Sequence, residues 1–190
     1  MTRDEPRRFT ILDAMVLMIG LAIGLAWVIA DIRFLEQYRW TKSGGLLLTW
    51  VDDRLPLLIA PVTIAVFALR LTPPRPSRRR LCREPGFVAC GAVTFILVAT
   101  AVVSLLFGAL RGAELAWNLR FYRTYWMVGV GPSVVAAWLL LIVSRRWRSV
   151  RTWVDRLGRG LGWLWIITRF GPLCYYYWDR LGRPLPLPSA

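Results

Sequence analysis

Histidine is absent from this chain of 190 residues. Its absence removes Ser-His-Asp and Cys-His nucleophile arrangements, most catalytic zinc sites and the usual axial ligand of haem. Lysine is almost absent too: Lys42 stands alone, so 24 of the 25 basic residues are arginine. Cysteine is scarce. Cys82, Cys90 and Cys174 form no CxxC pair, and their odd number does not indicate a disulfide framework. They read as small apolar side chains. Acidic residues number only 11, against a net charge of +14. No catalytic, nucleotide or metal motif stands out, and neither a cofactor nor a metal site is expected.

What the chain has in abundance is apolar sequence. The hydrophobic fraction is 56%, too high for an ordinary soluble domain. It is concentrated in four runs with few charges, near 14–30, 55–69, 87–110 and 124–144. Each approaches the roughly 17–25 residues a helix needs to cross a ~30 Å hydrocarbon layer. Spans over 11–30, 53–71, 87–110 and 124–144 are therefore predicted, followed by a tail over 145–190. The second is the shortest, and Pro56 and Pro61 suit the beginning of a helix better than its centre.

Arginine falls in alternate segments. Arg3, Arg7 and Arg8 precede the first run. Arg75, Arg78, Arg79, Arg80 and Arg83 follow the second, and Arg145, Arg146, Arg148, Arg151, Arg156 and Arg159 follow the fourth. Between the first and second runs, basic residues are balanced by Asp31, Glu36, Asp52 and Asp53. The positive-inside tendency then predicts that both termini and the 72–86 loop are cytoplasmic. A cleaved signal sequence is the competing reading of Arg7-Arg8 and the first run, with Val28-Ile29-Ala30 as the cleavage site. The length of that run and the bulk of Trp27 favour a retained span. These arginines already explain the net charge, so no nucleic-acid partner is expected.

Small residues recur at helical spacing within the runs: Gly20 and Gly24; Thr100, Ser104 and Gly108; Gly129, Ser133 and Ala137. In lipid, close backbone approach holds helices together, so these positions are expected to pack helices within the bundle or against a partner subunit or second copy. Thr10-Ile11-Leu12-Asp13 has the spacing of a capping box, with aspartate in place of glutamate. Asp52, Asp53 and Arg54 form the densest polar cluster beside a span and are the candidate polar site. The alternative is that they are headgroup-level charge. Glu114, with Trp117, Tyr122, Tyr125 and Trp126 nearby, reads as an external loop with interfacial aromatics.

The tail is the most distinctive segment. Trp147, Val150, Val154, Leu157, Leu161 and Leu164 follow three- and four-residue steps, with Arg145, Arg148, Arg156 and Arg159 towards the other side. A basic amphipathic helix lying in the membrane plane is predicted, with Trp147, Trp153 and these arginines at the lipid interface. Gly158, Gly160 and Gly162 weaken it midway, and Arg169 with Gly171-Pro172 argues against a fifth crossing.

The opening Arg8-Phe9-Thr10-Ile11-Leu12-Asp13, followed by a Gly/Ala-dotted apolar run, resembles the N-terminus of small uncharacterised multi-span membrane proteins of planctomycete-type bacteria. The resemblance covers about one-tenth of the chain. It implies a bacterial inner-membrane setting and carries over no active residues.

The expected fold is thus all-α, a four-helix transmembrane bundle with a C-terminal basic interfacial helix. The expected function is that of a non-enzymatic accessory or scaffold subunit that binds anionic lipid or an acidic partner through its tail. The alternatives are a small transporter or channel component using Asp52, Asp53 and Arg54, and a membrane-embedded enzyme acting on lipid.

Overall fold

The computed structural model describes residues 9–37, 54–72, 81–111, 115–147 and 152–182. These form five helices, with no strand among the described residues: α1 Ile11–Gln37, α2 Leu55–Leu71, α3 Pro85–Arg111, α4 Leu115–Val143 and α5 Trp153–Gly182.

Local chemistry sets the helix ends. At the start of α1, the Thr10 N–H donates to Asp13 Oδ2 at 3.0 Å and the Asp13 N–H donates to Thr10 Oγ1 at 3.2 Å. This is the reciprocal capping box that the spacing predicts. α2 has a proline in its first turn, where a missing N–H costs nothing. It stops where Thr72 turns extended, its N–H donating to Ala68 O and its hydroxyl to Leu69 O. α3 likewise opens on Pro85. α4 closes with two hydrogen bonds of the Schellman type, Arg146 N–H to Leu141 O at 2.9 Å and Arg145 N–H to Ile142 O at 3.0 Å.

Contacts along the helices fix their directions. Gly20 lies against Ala65 and Pro61, and Gly24 against Leu58, so α1 and α2 are antiparallel. Gly158 of α5 meets Gly86 of α3, and Gly162 meets Ala89, so these two helices run parallel. The same Gly162 meets Trp138 of α4, while Gly131 of α4 meets Arg169, so α4 and α5 are antiparallel. The order is up, down, up, down, up. Phe9 stacks edge-on with Trp153 at 4.9 Å, which brings the start of α1 to the start of α5.

The core runs between α2, α3, α4 and α5, through Ala60, Val66, Val93, Val130, Val134 and Trp165. Trp165 is 1% exposed. Its indole N–H donates to Thr63 Oγ1 at 3.0 Å, and its ring meets Trp126 edge-on at 5.8 Å. Without Thr63 that buried donor would be unsatisfied, a cost of about 1–3 kcal/mol. α1 packs chiefly on α2 and leaves most of its bulky side chains exposed.

Two expectations need correction. The segment with Trp117, Tyr122, Tyr125 and Trp126, expected as an external loop with interfacial aromatics, belongs to the fourth helix, which begins at Leu115, and Trp126 is buried: Asn118, Arg120 and Arg123 interrupt the hydropathy but not the backbone pattern. The tail helix begins at Trp153, not at Arg145, and continues unbroken for 30 residues through its glycines and Pro172. Its apolar face, with Val154, Leu161 and Trp165, is buried in the bundle and is not free to lie in a membrane plane. α5 therefore runs along α3 and against α4. Phe9 and Gly182, the first and last described residues, stand at opposite ends of the bundle.

Two helices, over Ile11–Arg33 and Pro85–Phe107, are long and apolar enough to cross a membrane. Apolar stretches at Leu55–Leu71 and Val128–Val143 are shorter.

Candidate functional site

The polar side chains that the fold brings together lie where α2 ends and α3 and α5 begin. Arg70, in the last turn of α2, forms a buried two-pronged ion pair with Glu84, the residue before α3. Its Nε donates to Glu84 Oε2 at 2.8 Å and its Nη2 donates to Oε1. Removal of two such charges from water is tolerable only with this geometry, because each guanidinium prong meets one carboxylate oxygen.

Asp155 completes the group. It sits in the first turn of α5, is 1% exposed, and accepts a hydrogen bond from the Gly86 N–H at 3.0 Å. That N–H is one of the orphan donors of the α3 N-terminus, so a carboxylate of one helix caps another. Its own N–H points to Thr152 Oγ1 at 3.4 Å, half of a second capping box. Its other oxygen, Oδ2, lies 3.3 Å from Arg159 Nε, an ion pair without a hydrogen bond.

Burial pushes the Asp155 carboxyl above the ordinary aspartate range. The Gly86 hydrogen bond and Arg159 act against that rise, Glu84 adds to it, and Arg70 lowers it.

The capping depends on close approach. A side-chain carbon on Gly86 would collide with the Asp155 backbone, and one on Gly158 would lie 2.7 Å from Gly86 O. Trp138 closes the same corner, its indole N–H donating to Pro85 O at 2.9 Å. The gap lined by Phe67, Arg70, Glu84, Phe87, Cys90 and Asp155 has no interior space for a water molecule. Every charged group of this cluster is engaged by another part of the protein. Its chemistry is that of a clasp binding three helices.

The residues that sequence reasoning singled out are spread along the bundle. Gly20 and Gly24 form the α1–α2 seam, and a carbon on Gly24 would lie 2.5 Å from Leu58 O. Gly129 of α4 faces Ile96 of α3. The hydroxyls of Thr100, Ser104 and Ser133 turn back onto the carbonyls of Ile96, Thr100 and Val130 in their own helices. Ala137 is half-buried on α4. Gly108 lies in α3, but its surroundings fall outside the described residues.

Of the interface set, Arg145, Arg156 and Trp147 are exposed, Arg159 pairs with Asp155, and Trp153 stacks on Phe9. Arg148 lies outside the described residues, as do Asp52 and Asp53. Arg54, the third member of the candidate polar site, is half-buried immediately before α2.

The Arg70–Glu84 pair and the Asp155 cap escaped the sequence reading. One signal was present: Thr152-Trp153-Val154-Asp155 repeats the Thr-x-x-Asp spacing of Thr10–Asp13. Among the described residues, no group of three or more histidine, cysteine, aspartate or glutamate side chains is placed to hold a metal ion. No protein-family model, curated protein or solved structure matches the chain.

Proposed function

We propose that this chain is a polytopic protein of the bacterial inner membrane, a non-enzymatic accessory or scaffold subunit with its arginine-rich end in the cytoplasm. The observation that carries this reading is α1. Ile11, Leu12, Met18, Ile19, Trp27 and Ile29 are exposed along a helix whose chief neighbour is α2. Exposed apolar surface on that scale is costly in water and costs nothing in hydrocarbon. α3 repeats the pattern with Phe95, Val98, Leu105 and Leu106.

We further infer that all five helices cross, α2 and α4 with their shorter apolar stretches and α5 through about 161–178. Support for α5 comes from its exposed aromatics: Trp163 near one end, and Tyr175, Tyr177 and Trp178 near the other. They lie towards the two ends of the proposed crossing, about 18–23 Å apart along the axis. Arg169 has its Cβ against Gly131 of α4, on the side of the bundle and away from lipid. The Asp155 clasp then sits at the cytoplasmic end, outside the apolar part of α5.

A scaffold role fits a cluster whose charges are spent on holding helices together. The test is extraction in mild detergent after crosslinking in native membranes, with identification of what remains attached. A stoichiometric partner or a second copy is expected. Recovery of free monomer alone would contradict the scaffold role.

A further inference from the structure

Arg145 is the non-glycine residue with a positive φ, 52°, among the described residues. It occupies the left-handed position that closes the Schellman motif of α4, where glycine is the usual residue because a β-carbon there crowds the backbone. An arginine held there costs stability that glycine would not, so a use for its side chain is the natural place to look.

Its surroundings point to one. Arg145 and Arg146 are both exposed at the end of α4. The last turns of that helix expose Leu139, Leu140 and Val143, the last 80% exposed. Trp138, itself buried, braces this end from the bundle side, meeting Trp147 edge-on at 5.9 Å and Trp163 at 5.4 Å. Val143, Leu140 and Leu139 lie two, five and six residues before Arg145, down to about 9 Å deeper along the helix axis. Cations outermost and bare aliphatic side chains below them match the order of phosphate and acyl chain in a phospholipid.

We propose that the end of α4 is a docking surface for an anionic phospholipid, its phosphate held by Arg145 and Arg146 and its chains lying along Leu139, Leu140 and Val143. This rests on the membrane reading above and names the lipid that the arginine-rich end takes. The left-handed arginine is then a residue kept for binding at the expense of stability, and the two properties separate on substitution.

The experiment is native mass spectrometry of the full-length protein in detergent, titrated with phosphatidylglycerol and with phosphatidylcholine, alongside thermal melts. The protein retains phosphatidylglycerol in preference to phosphatidylcholine. Arg145→Gly and Arg145→Asn each reduce that preference about fivefold, the worth of one arginine near an anionic surface. Arg145→Gly at the same time raises Tm by about 2–4 °C, through relief of the left-handed backbone. Arg33→Gln, on an exposed arginine near the other end of the bundle, leaves the preference unchanged. Equal retention of the two lipids, or full phosphatidylglycerol preference in both Arg145 variants, overturns the proposal while the membrane reading stands. A protein that remains monodisperse in buffer without detergent removes the membrane reading and this site with it.

Discussion

Asp155 of the fifth helix accepts a hydrogen bond from the backbone N–H of Gly86, the second residue of the third helix, at 3.0 Å. A side chain thus supplies, across 69 residues of sequence, the cap that Ser, Thr, Asp or Asn ordinarily gives to its own helix. The bond fixes the start of α5 on the start of α3 and orients everything that follows it.

Replacement of Asp155 by alanine removes the cap and leaves Arg159 without its carboxylate. A loss of about 1–3 kcal/mol is expected, from one cap and one buried donor. Asparagine keeps an acceptor for Gly86 and is expected to lose less. Equilibrium unfolding in mild detergent measures both, and an alanine variant as stable as the parent would show that the cap carries no weight.

Asp155 also sets a pH dependence of unusual sign. Burial raises its folded-state value above 3.8, so the folded chain holds this proton more tightly than the unfolded chain does. Its contribution is fully favourable below 3.8 and is lost as pH rises through the raised value. Relative to Asp155→Asn, the parent therefore gains stability as pH falls from neutral towards 4. A parent that weakens relative to that variant on acidification would mean that Arg159 and Gly86 outweigh burial.

The Arg70–Glu84 pair is expected to be costly to break and cheap to replace. Glu84→Ala strands a buried guanidinium, with a loss of about 3–5 kcal/mol. The double variant Arg70→Met with Glu84→Leu removes both charges and recovers most of that loss. A double-mutant cycle measures the difference, and additive losses would contradict a coupled pair.

Gly24 tests the first seam. A methyl group there would meet Leu58 O at 2.5 Å, a backbone atom that cannot move without its helix. Gly24→Ala is expected to cost about 1–3 kcal/mol through overpacking, and Gly24→Leu to separate α1 from α2. Cysteine crosslinking between the two helices reports that separation. Undiminished crosslinking in Gly24→Leu would place the seam elsewhere.

Much of this architecture was legible in the sequence where the signal is local. The Thr10–Asp13 box, the Gly20–Gly24 face and the apolar runs of α1 and α3 depend on residues within one or two turns of each other. α5 was misread for the opposite reason. Gly158 and Gly162 look like weak points in isolation, yet they are where the helix touches Gly86 and Trp138, so tertiary contact overrides their low helix propensity. The Arg70–Glu84 pair has no short-range signature, and the Thr152–Asp155 spacing signals a cap on its own helix but not the bond to Gly86, because these partners are brought together by three helices at once. Of the stripe expected along the tail, Val154 and Leu161 are covered by the bundle, while Trp147 and Leu164 are exposed.

The central claim is that five helices alternate across a bilayer with most of the arginines on one side. Its most direct test is side-specific labelling with a membrane-impermeant thiol reagent. The reporters are native Cys82, exposed between α2 and α3, and a Ser189→Cys substitution beyond α5, each as the sole cysteine. Cys82 is expected to react only from the cytoplasmic face and position 189 only from the opposite face. Labelling of both from one side would contradict the account.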